Sequence, residues 1–125
     1  MKIALTNVSV NDPIAAFKFY TGKLGFVEKL YMPEVYLAIV ASPEDREGTA
    51  LLFEPRGNLG SKEFFDGIYD AGLPVIVLGS EDVRDDYERL KANGVVFKQE
   101  PTKTDYGTQA IFDDSCGNYI QIHQA

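Results

Sequence analysis

The sequence predicts an α+β fold built from two tandem β-α-β-β-β modules. Each half of the chain begins with a strand-like run, continues with an N-capped helical pattern and ends with three short β-prone runs. The length of 125 residues suits one domain with one core. We therefore expect a single domain over residues 1–125, with module one at about 1–57, a linker at about 58–72 and module two at about 73–125.

The first module is expected to open with a strand at 2–10, where side chains of the two faces alternate. A helix follows, because Asp12 is a suitable N-cap, Pro13 suits the first helical position and Gly25 can close the C-terminal end. Three β-prone runs complete the module, at 26–31, 36–42 and 49–54.

The second module repeats this order after a linker in which a short helix is predicted from Ser61. A strand is expected at 75–78, and then a helix capped by Asp82 and ended by Gly94. Further strands are expected near 95–98, 108–112 and 119–124. The match indicates an internal duplication with a period of about 70 residues. Because neither half can cover a small curved sheet alone, we expect the halves, or two chains, to pair.

The composition excludes several classes of partner. Nineteen acidic residues against 12 basic ones give a net charge of −7, which repels phosphate backbones and anionic lipids. We therefore expect neither nucleic acid nor membrane as a partner. The apolar runs are far shorter than the about 18 residues of a spanning helix, and Met1-Lys2-Ile3 does not resemble the start of a signal peptide. A cytoplasmic protein is expected, and its single cysteine, Cys116, cannot form an internal disulfide.

Two strings in the sequence resemble a known family. Residues 11–26 read NDPIAAFKFYTGKLGF, and residues 81–95 and 112–118 read EDVRDDYERLKANGV and FDDSCGN. They are similar to the two helix motifs and the Gly-Asn turn of the vicinal oxygen chelate superfamily, with Ser115 in place of the usual proline. This superfamily contains glyoxalase I, bleomycin-resistance proteins and extradiol dioxygenases. The resemblance covers almost the whole chain and implies two paired modules, each a half-barrel, usually in a homodimer.

The resemblance also locates the family's metal ligands, and here they are replaced. The four matching positions hold three apolar side chains and one amide, at Leu5, Phe53, Val75 and Gln121. An alignment shifted by one residue would bring Glu54 inward without supplying a pair of histidines, since His123 is the single histidine. Divalent transition metals usually require two or more His or Cys ligands. We therefore predict no metal and no cofactor.

A small-molecule site remains as the expectation. If the metal positions face inward, strand alternation adds Asn7, Ser9, Leu51, Val77, Tyr119 and His123 to one concave, mostly apolar face. The predicted ligand-binding residues are Asn7, Phe53, Val75, Tyr106, Gln121 and His123. Asn7 and Gln121 are either ligand contacts or structural hydrogen-bond partners. His123 is either a ligand or proton-transfer group or a partly solvated strand residue, and Tyr106 either lines the pocket mouth or packs a turn.

Two functions are consistent with these residues. The first is a metal-free, dimeric small-molecule-binding protein of the glyoxalase and bleomycin-resistance type, whose acidic charge and many aromatic residues suit an aromatic or cationic ligand. The alternative is an enzyme of the superfamily, such as a lyase or isomerase. It would use non-metal chemistry at His123 and Gln121, or a metal at a rearranged site.

Overall fold

The protein is described by a computed structural model that covers residues 1–57 and 60–125. The chain divides into two compact units, Met1–Phe64 and Phe65–Ala125. The elements are β1 (Leu5–Val10), α1 (Pro13–Gly22), β2 (Val27–Met32), β3 (Leu37–Ala41), β4 (Ala50–Pro55), α2 (Ser61–Asp70), β5 (Pro74–Gly79), α3 (Val83–Ala92), β6 (Val96–Thr104), β7 (Gly107–Asp113) and β8 (Tyr119–Gln124). The predicted order β-α-β-β-β, found twice, is confirmed.

The predicted linker at about 58–72 contains helix α2, which starts at Ser61 as expected. The first two linker positions, 58 and 59, lie outside the described residues. No helix in the described part of the chain is both long and apolar enough to cross a membrane.

Each unit contains one four-stranded sheet with the same strand order. The first sheet has the order β1-β4-β3-β2 and the second β5-β8-β7-β6. The pairs β1–β4 and β5–β8 are parallel, whereas the remaining neighbours are antiparallel. A parallel pair needs a crossover connection, which α1 or α3 provides together with two antiparallel strands. The common order is what a duplicated module should produce.

Helix α1 covers one face of the first sheet. Its start is fixed by Asp12, whose Oδ1 accepts a hydrogen bond from the Ile14 amide at 2.9 Å. The Tyr20 ring is fully buried and lies 4.6 Å, centroid to centroid, from the Phe53 ring on β4. Val8 and Val10 of β1 are buried as well. Burial of these large apolar side chains is the main stabilising contribution in this unit.

Helix α3 covers the second sheet in the same way. Its N-cap is Asp82, whose Oδ1 accepts from the Asp85 amide at 3.0 Å. The Tyr87 ring meets the Phe97 ring edge to face at 4.7 Å, and Phe97 meets Phe112 at 5.7 Å. Two further buried residues of β8, Ile120 and Ile122, complete the core of this unit.

Strand β6 is longer than the sequence predicted. The expected strand near 95–98 continues as far as Thr104, which pairs with Gly107 in β7. Register shifts on either side of Gln99 allow the strand to contain Pro101. Proline lacks the amide hydrogen needed by a central strand, and β6 lies at the edge of its sheet.

Candidate functional site

Each sheet has one face opposite its helix, and these two faces are the candidate binding surfaces. In the first unit the face opposite α1, here called the first open face, carries Asn7 and Ser9 of β1. Their register partners on β4 are Leu52 and Glu54. In the second unit the face opposite α3 is called the second open face. It carries Val77, Gln109, Ile111, Asp113, Tyr119, Gln121 and His123.

Phe53 does not lie on an open face, so its predicted place beside Asn7 is wrong. Phe53 is in register with Val8, has no exposed surface and packs its ring near Tyr20 of α1. Leu51 is also buried on this helix-facing side. It is two residues before Phe53 in the same strand, so both side chains lie on one face, and it pairs with Val40 of β3. The residues that face outward from β4 are therefore Leu52 and Glu54, one position away from those expected.

Val75 is displaced by a bulge in β5. Pro74 pairs with Tyr119, but Ile76 pairs with Ile120 and Val77 with Gln121, so β5 contains one extra residue relative to β8. As a result Val77, and not Val75, lies directly opposite Gln121 on the second open face. The Val77 side chain is 57% exposed.

Gln121 lies at the centre of the second open face, opposite Val77 on one side and Ile111 on the other. Its Nε2 donates to Oε1 of Gln109 at 3.3 Å, and the neighbouring position across β7 is the apolar Ile111. Part of its hydrogen-bonding capacity is therefore used within the sheet. An amide has two donor hydrogens and an acceptor oxygen, so Gln121 can also hydrogen-bond to a ligand.

The structure brings His123 and Tyr106 together at one end of this face. The His123 Nε2 lies 2.9 Å from the carbonyl oxygen of Tyr106. A carbonyl oxygen only accepts, so Nε2 carries the hydrogen, and in the neutral ring Nδ1 is then the acceptor. The intervening Gly107 has φ +128°, and a Cβ there would overlap the Gln124 carbonyl oxygen and lie 3.1 Å from His123 Nε2. Glycine is what permits the β6–β7 turn to approach His123.

The other end of the second open face is covered by Tyr69 of α2, a residue that the sequence analysis missed. Its ring stacks on the Tyr119 ring at 4.4 Å with an interplanar angle of 8°, and its hydroxyl donates to Asp113 Oδ2 at 2.6 Å. Lys98 Nζ lies over the same Tyr119 ring at 5.0 Å and donates to the Gly72 oxygen at 2.7 Å.

The pKa of the Tyr69 hydroxyl is raised well above its ordinary value. The largest cause is the hydrogen bond to Asp113, and the second largest is the interaction with the Tyr119 hydroxyl. Deprotonation of Tyr69 would remove the donor and place a second negative charge beside the Asp113 carboxylate. The phenol therefore remains a hydrogen-bond donor at every physiological pH. No spacing in the sequence indicates this contact, because its partners are 44 residues apart.

The side chains at the predicted metal positions do not fit a divalent transition metal. Leu5 and Val75 offer hydrocarbon, Phe53 is buried in the helix-facing core, and the Gln121 amide already bonds to Gln109. Among the described residues no group of three or more His, Cys, Asp or Glu side chains is placed to hold a metal ion. Glu54 on the first open face is one carboxylate in this set, which is too few donors for such a site.

A surface cavity of about 420 Å³ lies in the second unit between α3 and β6. Its walls are formed by Arg84, Tyr87, Glu88, Lys91, Glu100 and Pro101. Charged side chains of both signs dominate this lining, and all four of them are exposed. Solvated charge of mixed sign is typical of a surface groove and offers little apolar area to an organic ligand.

Comparison with known proteins links the chain and its fold to one family. The model of the Glyoxalase/Bleomycin resistance protein/Dioxygenase superfamily matches residues 2–122. Protein YurT of Bacillus subtilis (strain 168) is 44% identical over 126 residues, which is 99% of each chain. The crystal structure of UcmS2 is 30% identical with a TM-score of 0.83, covering 100% of this chain and 98% of that one. TnmS3, an antibiotic binding protein from Streptomyces sp. CB03234, is 29% identical with a TM-score of 0.77, covering 99% and 95%.

Proposed function

Because the chain belongs to the Glyoxalase/Bleomycin resistance protein/Dioxygenase superfamily, we propose that it binds a small organic molecule on the second open face. The observation that carries this proposal is the pairing of the exposed Val77 with Gln121, next to His123 at the end of the same strand. Small-molecule sites combine apolar surface with a few well-placed polar groups. Val77 supplies the exposed apolar surface, and the amides and the imidazole supply orientation.

The proposed ligand is aromatic or amphipathic, and a cation is favoured over an anion. The net charge of −7 attracts cations, and the exposed Val77 among partly exposed amide groups suits a flat ring system with polar groups. The likeness to TnmS3, described as an antibiotic binding protein, supports a ligand of drug-like size. We propose that binding needs no metal and no cofactor, since the predicted metal positions hold hydrocarbon and amide groups and Glu54 adds a single carboxylate.

We also propose that the protein is a cytoplasmic homodimer. Strands β2 and β6 are sheet edges that expose apolar side chains, including Leu30, Met32 and Val96. Exposed edges of this kind pair readily with another chain, and a two-fold axis covers them on both copies. The single cysteine, Cys116, cannot form a disulfide within the chain, which suits a reducing compartment. Light scattering at micromolar concentration should give twice 13.9 kDa, and a stable single chain would contradict the dimer.

The binding proposal is tested by titrating proflavine, a flat aromatic cation, into the protein and following its fluorescence. Val77→Arg should weaken proflavine binding at least tenfold, because the long side chain lies across the apolar surface. The matched control is Val35→Arg, which places the same charge at an equally exposed position on the turn before β3 and should bind as the wild type does. If both variants bind proflavine unchanged, the second open face is not the site.

A further inference from the structure

We propose that Tyr69 is the end wall of the binding surface and sets the length of ligand that it accepts. The hydrogen bond to Asp113 positions the Tyr69 ring over Tyr119, so that a ligand is confined to the stretch between Tyr119 and His123. This inference rests on the proposed function, because it concerns the same second open face. It assigns the C-terminal turn of α2 a role in specificity.

The contacts of Tyr119 show why this end of the face is closed to a ligand. The Tyr119 ring already stacks on Tyr69 and lies under the ammonium group of Lys98. Both contacts are of the kinds that an aromatic or cationic ligand would itself make with a tyrosine. A ligand could use Tyr119 only by displacing Tyr69 or Lys98.

Two hydrogen bonds hold the wall in place. The Tyr69 hydroxyl donates to a carboxylate, which is among the stronger types of hydrogen bond in proteins. Lys98 Nζ donates to the oxygen of Gly72, two residues beyond the end of α2. A Cβ on Gly72 would overlap Lys98 Nζ, and its φ of +75° also favours glycine. Since the raised pKa keeps Tyr69 protonated, the wall stays anchored across physiological pH.

The dimensions of the remaining surface indicate the ligand class. Tyr119 and His123 are four residues apart on β8, or about 13 Å at about 3.3 Å per residue. From β5 across β8 to β7 is two strand spacings, or about 10 Å. Gln121 lies at the centre of this surface, between the exposed Val77 and the buried Ile111, and Gln109 and His123 lie beside it. The surface therefore suits a flat molecule of two or three fused rings that carries hydrogen-bonding groups.

The test compares two fluorescent cations of different length, proflavine with three fused rings and berberine with a longer five-ring skeleton. Wild-type protein should prefer proflavine. Tyr69→Ala should raise the affinity for berberine at least tenfold and change that for proflavine less than threefold, because the surface then extends over Tyr119. The matched control is Phe64→Ala, which truncates an exposed aromatic residue of the same helix and should change neither affinity.

Two conservative variants separate the wall from a purely structural role. Tyr69→Phe keeps the ring and loses the hydroxyl, and Asp113→Asn weakens the anchor. Each should shift the berberine-to-proflavine affinity ratio toward berberine by a smaller factor than Tyr69→Ala. If circular dichroism shows that Tyr69→Ala does not fold, the test depends on these two variants. An unchanged berberine-to-proflavine affinity ratio in both of them overturns the proposal.

The outcomes also distinguish this proposal from the proposed function. If neither dye binds to the wild-type protein, or Val77→Arg leaves both affinities unchanged, the binding function fails and the end wall fails with it. If Val77→Arg weakens the binding of both dyes but Tyr69→Ala leaves the ratio of their affinities unchanged, the proposed binding face is supported and only the end wall is overturned.

Discussion

Val77 on β5 lies directly opposite Gln121 on the parallel strand β8, one position later than the pairing of Pro74 with Tyr119 would give without a bulge. The bulge between Pro74 and Ile76 causes this shift. It places an exposed hydrophobic residue of the edge strand beside Gln121 on the second open face. The two valines should therefore respond differently to the same substitution, although they are two residues apart.

We expect Val77→Arg to weaken proflavine binding at least tenfold and to change the free energy of unfolding by less than about 0.5 kcal/mol, because its side chain is 57% exposed. Val75→Arg, at the partly buried bulge, should cost more stability and affect binding less. Urea unfolding and fluorescence titration measure the two effects. The reverse pattern would return Val75 to the ligand-facing position.

Phe53→Ala should destabilise the protein by about 3–5 kcal/mol, since the ring is fully buried against Tyr20 and its loss leaves a cavity. The matched control is Leu52→Ala on the opposite face of the same strand, which should cost less because Leu52 is only partly buried. Urea unfolding midpoints give both values. A smaller loss for Phe53→Ala than for Leu52→Ala would reverse the assignment of faces on β4.

The sequence predicts a feature correctly when the residues that determine it lie close together in the chain. The helix starts at Asp12 and Asp82 were predictable, because an N-cap and the apolar spacing that follows it are read within one short segment. The side of the sheet on which Phe53 lies was not predictable. Residues 50–53 are all apolar, so no alternation of polar and apolar residues shows which side chains face the helix.

The candidate site depends more heavily on contacts between distant residues. Strand alternation placed Gln121 and His123 on the same face, and this is confirmed. The bulge beside Val75 adds one residue that no local pattern marks, and Tyr69 finds its carboxylate partner 44 residues further along the chain. A helical tyrosine of this kind looks like an ordinary surface or core residue until the sheet beneath it is known.

Gly107→Ala should destabilise the β6–β7 turn, because the backbone has φ +128° and the added Cβ would overlap the Gln124 carbonyl oxygen. Strain of this kind typically costs about 1–3 kcal/mol. The change should also separate Tyr106 from His123 and weaken proflavine binding. Gly67→Ala is the control: a Cβ added there has no neighbouring atom within 4 Å, and alanine inside helix α2 should stabilise by about 0.5–1 kcal/mol. Thermal melts that rank Gly107→Ala equal to Gly67→Ala would contradict the turn geometry.

The hydrogen bond between Tyr69 and Asp113 should make part of the free energy of unfolding decrease as the pH becomes alkaline. A free tyrosine hydroxyl has a pKa of about 10, and the bond to Asp113 raises the pKa in the folded chain. The hydrogen bond therefore contributes its full stabilisation below about pH 10, and this stabilisation is lost as the pH rises toward the raised pKa of Tyr69 in the folded protein. The difference in free energy of unfolding between the wild type and Tyr69→Phe should be constant from about pH 6 to 9 and shrink above about pH 10. Tyr106→Phe, which removes a hydroxyl from an exposed ring, should match the wild type throughout. A difference for Tyr69→Phe that already shrinks near neutral pH would mean that Asp113 does not hold the phenol in its protonated form.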